Sequence, residues 1–126
     1  MIVYSISDLS REFNITTRTI RYYEDIGLLF PQRQGKTRLY DSSDRSRLRL
    51  ILRGKRLGLS LEESREIIDM YQPGKSNVKQ LKKLIDAINS QKKKLNQKLT
   101  DITNLMNDLK KAEVKCLEAL KLNGEN

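Results

Sequence analysis

Four side chains within ten residues have the chemistry to recognise nucleic acid. In the stretch from Thr16 to Asp25, Thr17, Arg18, Arg21 and Tyr22 stand at i, i+1, i+4 and i+5. On a helix this spacing gathers a hydroxyl, two guanidinium groups and a phenol on one outward arc. Such a set clamps phosphates and reaches base edges in a major groove. The plainer alternative is a surface helix whose arginines pair with Glu24 or Asp25. The surrounding elements favour DNA contact for Arg18 and Arg21, while Tyr22 fits either reading and Tyr23 is expected to pack inward.

Those elements are legible in the capping pattern. Ser5 with Asp8 three positions on reads as a helix start, followed by Leu9 and Phe13 on one face. Asn14-Ile15 breaks that helix, Thr16 caps the next, and Gly27 supplies its stop. Two short helices joined by a tight turn predict a helix-turn-helix. Leu28 to Phe30 and Thr37 to Tyr40 read as strands of a hairpin with a basic tip, hence a wing, carrying Arg33, Lys36, Arg38 and Tyr40. Alternation sends Arg38 and Tyr40 to one face and Leu39 to the other. For Tyr40, phosphate contact and hairpin packing are both open. Asp41 or Ser42 caps a third helix ending near Leu57-Gly58, and Ser60 with Glu63 forms a capping box opening a fourth that ends near Tyr71. On the third helix Arg45, Arg49, Arg53 and Arg56 share an arc of about 80°. Some of these are expected to pair with the acidic fourth helix (Glu62, Glu63, Glu66, Asp69).

The chain has 126 residues, 25 Lys+Arg against 16 Asp+Glu, a net charge of +9, one Cys and no His. Without His, and with Cys116 alone, neither a tetrahedral zinc site nor a Cys-His or Ser-His-Asp nucleophile can be assembled within one chain; metal binding through carboxylates is open but has no motif behind it, and no enzyme activity, metal site or cofactor is expected. The apolar runs are far shorter than the roughly 20 residues of a membrane helix. No signal-peptide pattern precedes the first helix, which predicts a cytoplasmic location. Residues 1–72 hold all 11 Arg and 2 Lys against 10 acids, whereas residues 73–126 hold 12 Lys, no Arg and 6 acids. Arg suits phosphate and guanine edges, and Lys suits solvated helix surfaces. Between Ile15 and Ser60 the balance is 11 basic against 4 acidic residues, a nucleic-acid footprint. The change in character falls at Tyr71-Gln72-Pro73-Gly74, predicting a DNA-binding domain over 1–72 and a coiled-coil helix with a short tail over 73–126.

From Ser76 to Lys121 there is no Pro or Gly, and apolar residues recur every seventh position at Leu81, Ile88, Leu95, Ile102, Leu109 and Cys116. A flanking seam carries Leu84 and Leu105 with Gln91 and Lys98 as polar interruptions. Leu81, Leu84, Ile88, Leu95, Ile102, Leu105 and Leu109 are the expected dimerisation residues. A helix on the order of 65–70 Å long cannot bury its stripe against a domain of this size and needs a second long helix. Residues 76–99 carry seven Lys and one Asp, while residues 100–121 carry four Lys and four acids. Antiparallel pairing keeps the two lysine-rich stretches apart, so an antiparallel homodimer is expected, with a partner of different sequence left open. Cys116, on the seam, reads as a small buried hydrophobe rather than a redox or ligand group.

The ordered segments Tyr4 to Leu9, Ile15 to Leu29, Thr37 to Tyr40 and Leu57 to Glu63 resemble the successive signatures of the mercury-resistance-regulator (MerR) family of bacterial transcription factors, across residues 2–71. The resemblance implies a mainly α fold: a winged helix-turn-helix, a two-helix segment and a long antiparallel dimerisation helix. It also implies binding of a palindromic operator between promoter elements set too far apart, with bending and untwisting that lets RNA polymerase engage both. Polymerase is thus reached indirectly, through double-stranded DNA. By that likeness Arg18, Arg21 and Tyr22, with Arg38 and Tyr40 of the wing, contact DNA. The run from Arg47 to Gly58 is similar to a short branch of the family linked to branched-chain amino acid or fatty acid breakdown. Metal-sensing relatives place a Cys at the start of the dimerisation helix and two beyond it; Ser76-Asn77-Val78 has none, which argues against metal sensing of that kind. Drug-sensing relatives append a binding domain for which the chain is too short. The expected function is therefore a homodimeric, sequence-specific transcriptional regulator, and the alternative is an architectural or excisionase-like DNA-bending protein.

Overall fold

The computed structural model describes residues 2–72 and 74–124. The chain divides into two compact units, one through Ile88 and one from Asn89 onward. In the first, β1 (Val3–Tyr4) leads into α1 (Ile6–Phe13) and α2 (Thr17–Asp25). Ser5 caps α1 reciprocally with Asp8: its Oγ accepts from the Asp8 amide at 3.0 Å, and its own amide donates to Asp8 Oδ2 at 3.0 Å. Asn14 ends α1 in the left-handed region, φ 53°, a conformation its short polar side chain tolerates. Thr16 Oγ1 then accepts from the Thr19 amide to cap α2. These local signals set the helix-turn-helix as the sequence predicts.

The wing differs from the sequence expectation. Its strands are β2 (Gln32–Gln34) and β3 (Thr37–Asp41), so the first strand starts after Pro31 rather than at Leu28. The reason is where the backbone donors go. The amides of Leu28 and Leu29 both donate to the Tyr23 carbonyl, at 2.9 and 3.3 Å, and the Phe30 amide donates to Asp44 Oδ1 at 3.0 Å. No donor remains there for a ladder, and the adjacent Leu28 and Leu29 side chains are both buried, which breaks strand alternation. Gln34 pairs with Thr37, leaving Gly35-Lys36 as a two-residue turn with Gly35 at φ +63°. β1, which capping analysis did not foresee, pairs antiparallel with the other edge of β3, giving the order β1-β3-β2.

α3 (Ser42–Arg56) is capped by Asp41 with Asp44, and α4 (Leu61–Asp69) by Ser60 with Glu63. α4 ends at Asp69, short of Tyr71. The two helices approach closely at Gly54, where an added Cβ would lie 2.3 Å from Ser64 Oγ. Leu9, Ile20, Tyr23, Leu28, Leu29, Tyr40, Leu48, Ile51 and Ile68 form the core under α2 and the wing. The Gln72 to Asn77 connection is tied by Asn77, whose Oδ1 accepts from the Gln72 amide at 3.0 Å; Pro73, part of the expected break, lies outside the described residues.

α5 (Val78–Leu122) is one continuous helix of 45 residues. Its first turns belong to the first unit. There Gln80 is buried, Lys83 pairs with Glu66 at 3.2 Å, and Leu84 lines a small cavity with Leu50, Leu59, Ile67 and Ile68. Leu84, expected in the dimer seam, thus faces the α3–α4 pair of its own chain, while Ile88 is half-buried. In the second unit Leu95, Leu99, Ile102, Leu105, Met106 and Leu109 are all more than half exposed. No described helix is long and apolar enough to cross a membrane.

Candidate nucleic-acid interface

α2 presents its polar arc to solvent. Arg18 and Arg21 are exposed, Thr17 is half-buried, and the Tyr22 ring is 52% exposed, tilted against Tyr23 at a centroid distance of 5.8 Å. Tyr23 packs into the core as the sequence predicts. Among the described residues neither Arg18 nor Arg21 makes an ion pair or a side-chain hydrogen bond. Of the two carboxylates in the plainer reading, Asp25 makes no ion pair among the described residues and Glu24 is engaged elsewhere. Arg38 Nε donates to Glu24 Oε2 at 2.6 Å and Arg33 Nη2 to Glu24 Oε1 at 3.0 Å. Burial alone raises the Glu24 pKa, but the hydrogen bonds from Arg38 and Arg33 outweigh it and hold the group below the ordinary glutamate range.

The wing places Lys36 at its exposed tip, directly after Gly35. Tyr40 requires a correction. It is fully buried in the core, its hydroxyl has no hydrogen-bond partner among the described residues, and burial, with the nearby Glu24 charge, pushes its pKa up to about 12. Tyr40 therefore packs the sheet against the helices and offers no phenol to a phosphate. Period-two alternation put Arg38 and Tyr40 on one face, but that face is turned toward α2.

Two of the four arginines on the third-helix arc, Arg45 and Arg49, have a partner other than those expected. Arg45 Nε donates to both Glu12 carboxylate oxygens at 2.9 Å, its Nη2 adds a further bond, and Arg49 stands 4.0 Å from the same group. The N-terminal half of the arc thus pairs with α1 rather than α4, and Arg53 and Arg56 are exposed without an ion pair among the described residues. The α4 acid that α3 does engage is Asp69, through Arg47, which the arc left out. Arg47 Nη2 reaches Asp69 at 3.1 Å, its Nε donates to the Leu28 carbonyl at 2.8 Å, and its guanidinium lies 5.0 Å over the Phe30 ring. Arg65 of α4 donates to the Ile26 carbonyl at 2.5 Å. These two arginines take up carbonyls released where α2 ends. Asp44, buried with its pKa raised by desolvation, accepts from the Phe30 and Asp41 amides and pins the base of the wing to α3. Sequence reasoning singled out none of Arg47, Arg65 or Asp44 for these roles; only the match of buried acceptors to long side chains reveals them.

A family profile described as MerR HTH family regulatory protein matches residues 4–71, and a second, described as MerR, DNA binding, matches residues 45–112. The chain belongs to the MerR family. It is 41% identical over 69 residues to the HTH-type transcriptional regulator HmrR of Rhizobium leguminosarum bv. viciae, covering 54% of each chain. Against the regulator ZntR of Escherichia coli (strain K12) it is 37% identical over 70 residues, covering 54% of this chain and 50% of that one. The chain thus spans about half the length of the curated relatives it matches. Among solved structures, the lead(II)-bound regulator PbrR691 of Ralstonia metallidurans CH34 superposes with TM-score 0.67 at 25% identity, covering 86% of both chains. HiNmlR, a MerR family regulator lacking the sensor domain and bound to promoter DNA, aligns over 98% of this chain and 92% of its own, with TM-score 0.57; at 20% identity it supports the fold alone. The mainly α winged helix-turn-helix with a long C-terminal helix is therefore the MerR arrangement.

Proposed function

We propose that this MerR-family chain is a DNA-binding transcriptional regulator that engages a palindromic promoter operator as a homodimer and distorts it, with Arg18, Arg21, Thr17 and Tyr22 at the major groove and Lys36 of the wing on the backbone. The observation that carries this reading is that Arg18 and Arg21 stand without an ion pair among the described residues on a capped, exposed helix whose Glu24 is held by the wing. Two recognition helices set about one helical turn of DNA apart read a palindrome, and wing contacts outside them reward a bent duplex. RNA polymerase responds to the altered DNA spacing, which places the protein with the chromosome in the cytoplasm. An architectural DNA-bending role would show the same basic surface without sequence preference.

Dimerisation rests on Leu81, Ile88, Leu95, Ile102, Leu105 and Leu109. The exposed stripe from Leu95 to Leu109 has the heptad spacing of a coiled-coil seam, and its lysine distribution supports the antiparallel sense. Anisotropy titrations at fixed salt, comparing a duplex from the gene's own upstream region with a random duplex, test the function. A preference of about 10³-fold or more is expected of a regulator; equal binding would support the architectural alternative instead. Ile102→Asp at the centre of the seam is expected to yield monomers in sedimentation and to abolish operator binding, and a dimeric Ile102→Asp protein would reject the seam.

A further inference from the structure

Arg33 and Arg38 are direct cross-strand partners in the wing. Like charges so placed repel and weaken a hairpin unless a counter-charge stands between them. Glu24, from the last turn of α2, supplies that charge, one carboxylate oxygen to each arginine. The two arms are unequal. Arg38 binds through Nε at 2.6 Å with its side chain only 21% exposed, whereas Arg33 binds through a terminal Nη2 at 3.0 Å and is 53% exposed. A short, sheltered bond fixes geometry, and a longer, solvated one exchanges readily for another anion.

We propose that Glu24 is the positioning residue that locks the wing to the recognition helix, with Arg38 as its permanent brace and Arg33 as an arm that leaves the carboxylate for a DNA phosphate. The proposal rests on reading α2 and the wing as a DNA-binding pair. It divides the wing arginines: Arg33 contributes contact, and Arg38 contributes orientation, so that α2 and the wing arrive on the duplex as one rigid surface. Glu24 also moderates the wing's charge until DNA approaches, which limits attachment to unrelated sequence.

The test has a DNA-free arm and a DNA arm, using the full chain throughout. Without DNA, amide exchange of the β3 residues is expected to quicken about tenfold in Glu24→Gln and Arg38→Ala and to stay near wild type in Arg33→Ala. Adding Arg33→Ala to Glu24→Gln should restore part of the protection, because it removes the unscreened like-charge pair; a purely packing role for Glu24 gives no such rescue. With a random-sequence duplex, the slope of log affinity against log salt is expected to fall by about 0.9 in Arg33→Ala, to stay unchanged in Arg38→Ala and to steepen in Glu24→Gln. With the promoter duplex, Arg38→Ala and Glu24→Gln are expected to lose about tenfold of the preference over random DNA. Unchanged β3 exchange in Glu24→Gln, or an equal loss of salt slope in Arg38→Ala and Arg33→Ala, would overturn the proposal. A wild type that binds promoter and random duplex alike would count against the regulator reading, while the exchange data still decide the brace.

Discussion

α2 and α3 are both arginine-bearing helices of the same compact unit, yet Arg45 and Arg47 of α3 and Arg18 and Arg21 of α2 meet opposite surroundings. On α3, Arg45 grips Glu12 and Arg47 joins Leu28, Phe30 and Asp69, so charge is used to fasten α1, the end of α2 and α4 around the core. On α2, Arg18 and Arg21 face solvent without an anion among the described residues. A count of basic residues favours α3, which carries five arginines and a lysine against two arginines on α2. Availability of a partner separates these two pairs and supports the proposal that recognition lies on α2, although Arg53 and Arg56 at the far end of α3 are also exposed and make no ion pair among the described residues.

The sharpest way to break this contrast is Arg47→Ala. The side chain is 14% exposed and donates to a backbone carbonyl that has no other donor at hand, so its loss is expected to cost about 2–3 kcal/mol of stability by urea denaturation. Operator affinity, measured where the variant remains folded, should stay near wild type. An Arg47→Ala protein of normal stability and poor DNA binding would place Arg47 among the contacts and erase the distinction.

Arg21→Ala is the converse experiment. Stability should change by less than about 0.5 kcal/mol, since none of the described residues holds the group. Operator binding should weaken by about 1–3 kcal/mol, with relaxed preference at one base position if Arg21 reads a base edge. An equal loss on operator and random duplex would make it a phosphate contact. Lys36→Ala, at the wing tip, is expected to have a smaller and uniform effect on all sequences, lowering the salt slope by about one.

What the sequence discloses follows the range of the forces involved. Ser5 with Asp8, Thr16, and Ser60 with Glu63 act over three residues and cap as read, while of the two candidates for α3 the structure uses Asp41, with Asp44 as its unforeseen reciprocal partner. The heptad stripe of α5 and the exposed arc of α2 are periodic and equally legible. Tyr40 was ambiguous because alternation assigns a residue to a face without saying which face is covered. The Leu28 strand misled because its donors are taken by Tyr23 and by Asp44, the latter 14 positions away. Arg45 with Glu12, 33 positions apart, and Arg65 with Ile26, 39 apart, depend on the assembled core, and no local pattern announces them. Candidate contact residues that face solvent are therefore easier to read from sequence than the residues that position them.

The smallest expected effect concerns acid. Glu12 lies below its ordinary pKa of 4.5 chiefly through the Arg45 hydrogen bond, and Glu24 does so because the Arg38 and Arg33 bonds exceed the opposing effect of burial. A carboxylate whose folded pKa is depressed contributes stability that is complete above its unfolded pKa and is lost as pH falls through the folded value. Asp44 has the opposite sign: burial raises its pKa above 3.8, so its protonation on acidification favours the folded state and offsets part of that loss. Urea midpoints measured from about pH 6 to pH 3 should therefore fall, less steeply in Glu24→Gln and Glu12→Gln than in wild type. Arg21→Ala should reproduce the wild-type slope, because Arg21 holds no carboxylate among the described residues. If Arg21→Ala flattened the acid slope as Glu24→Gln does, Arg21 would have a hidden carboxylate partner, and the contrast between α2 and α3 would fail at its central residue.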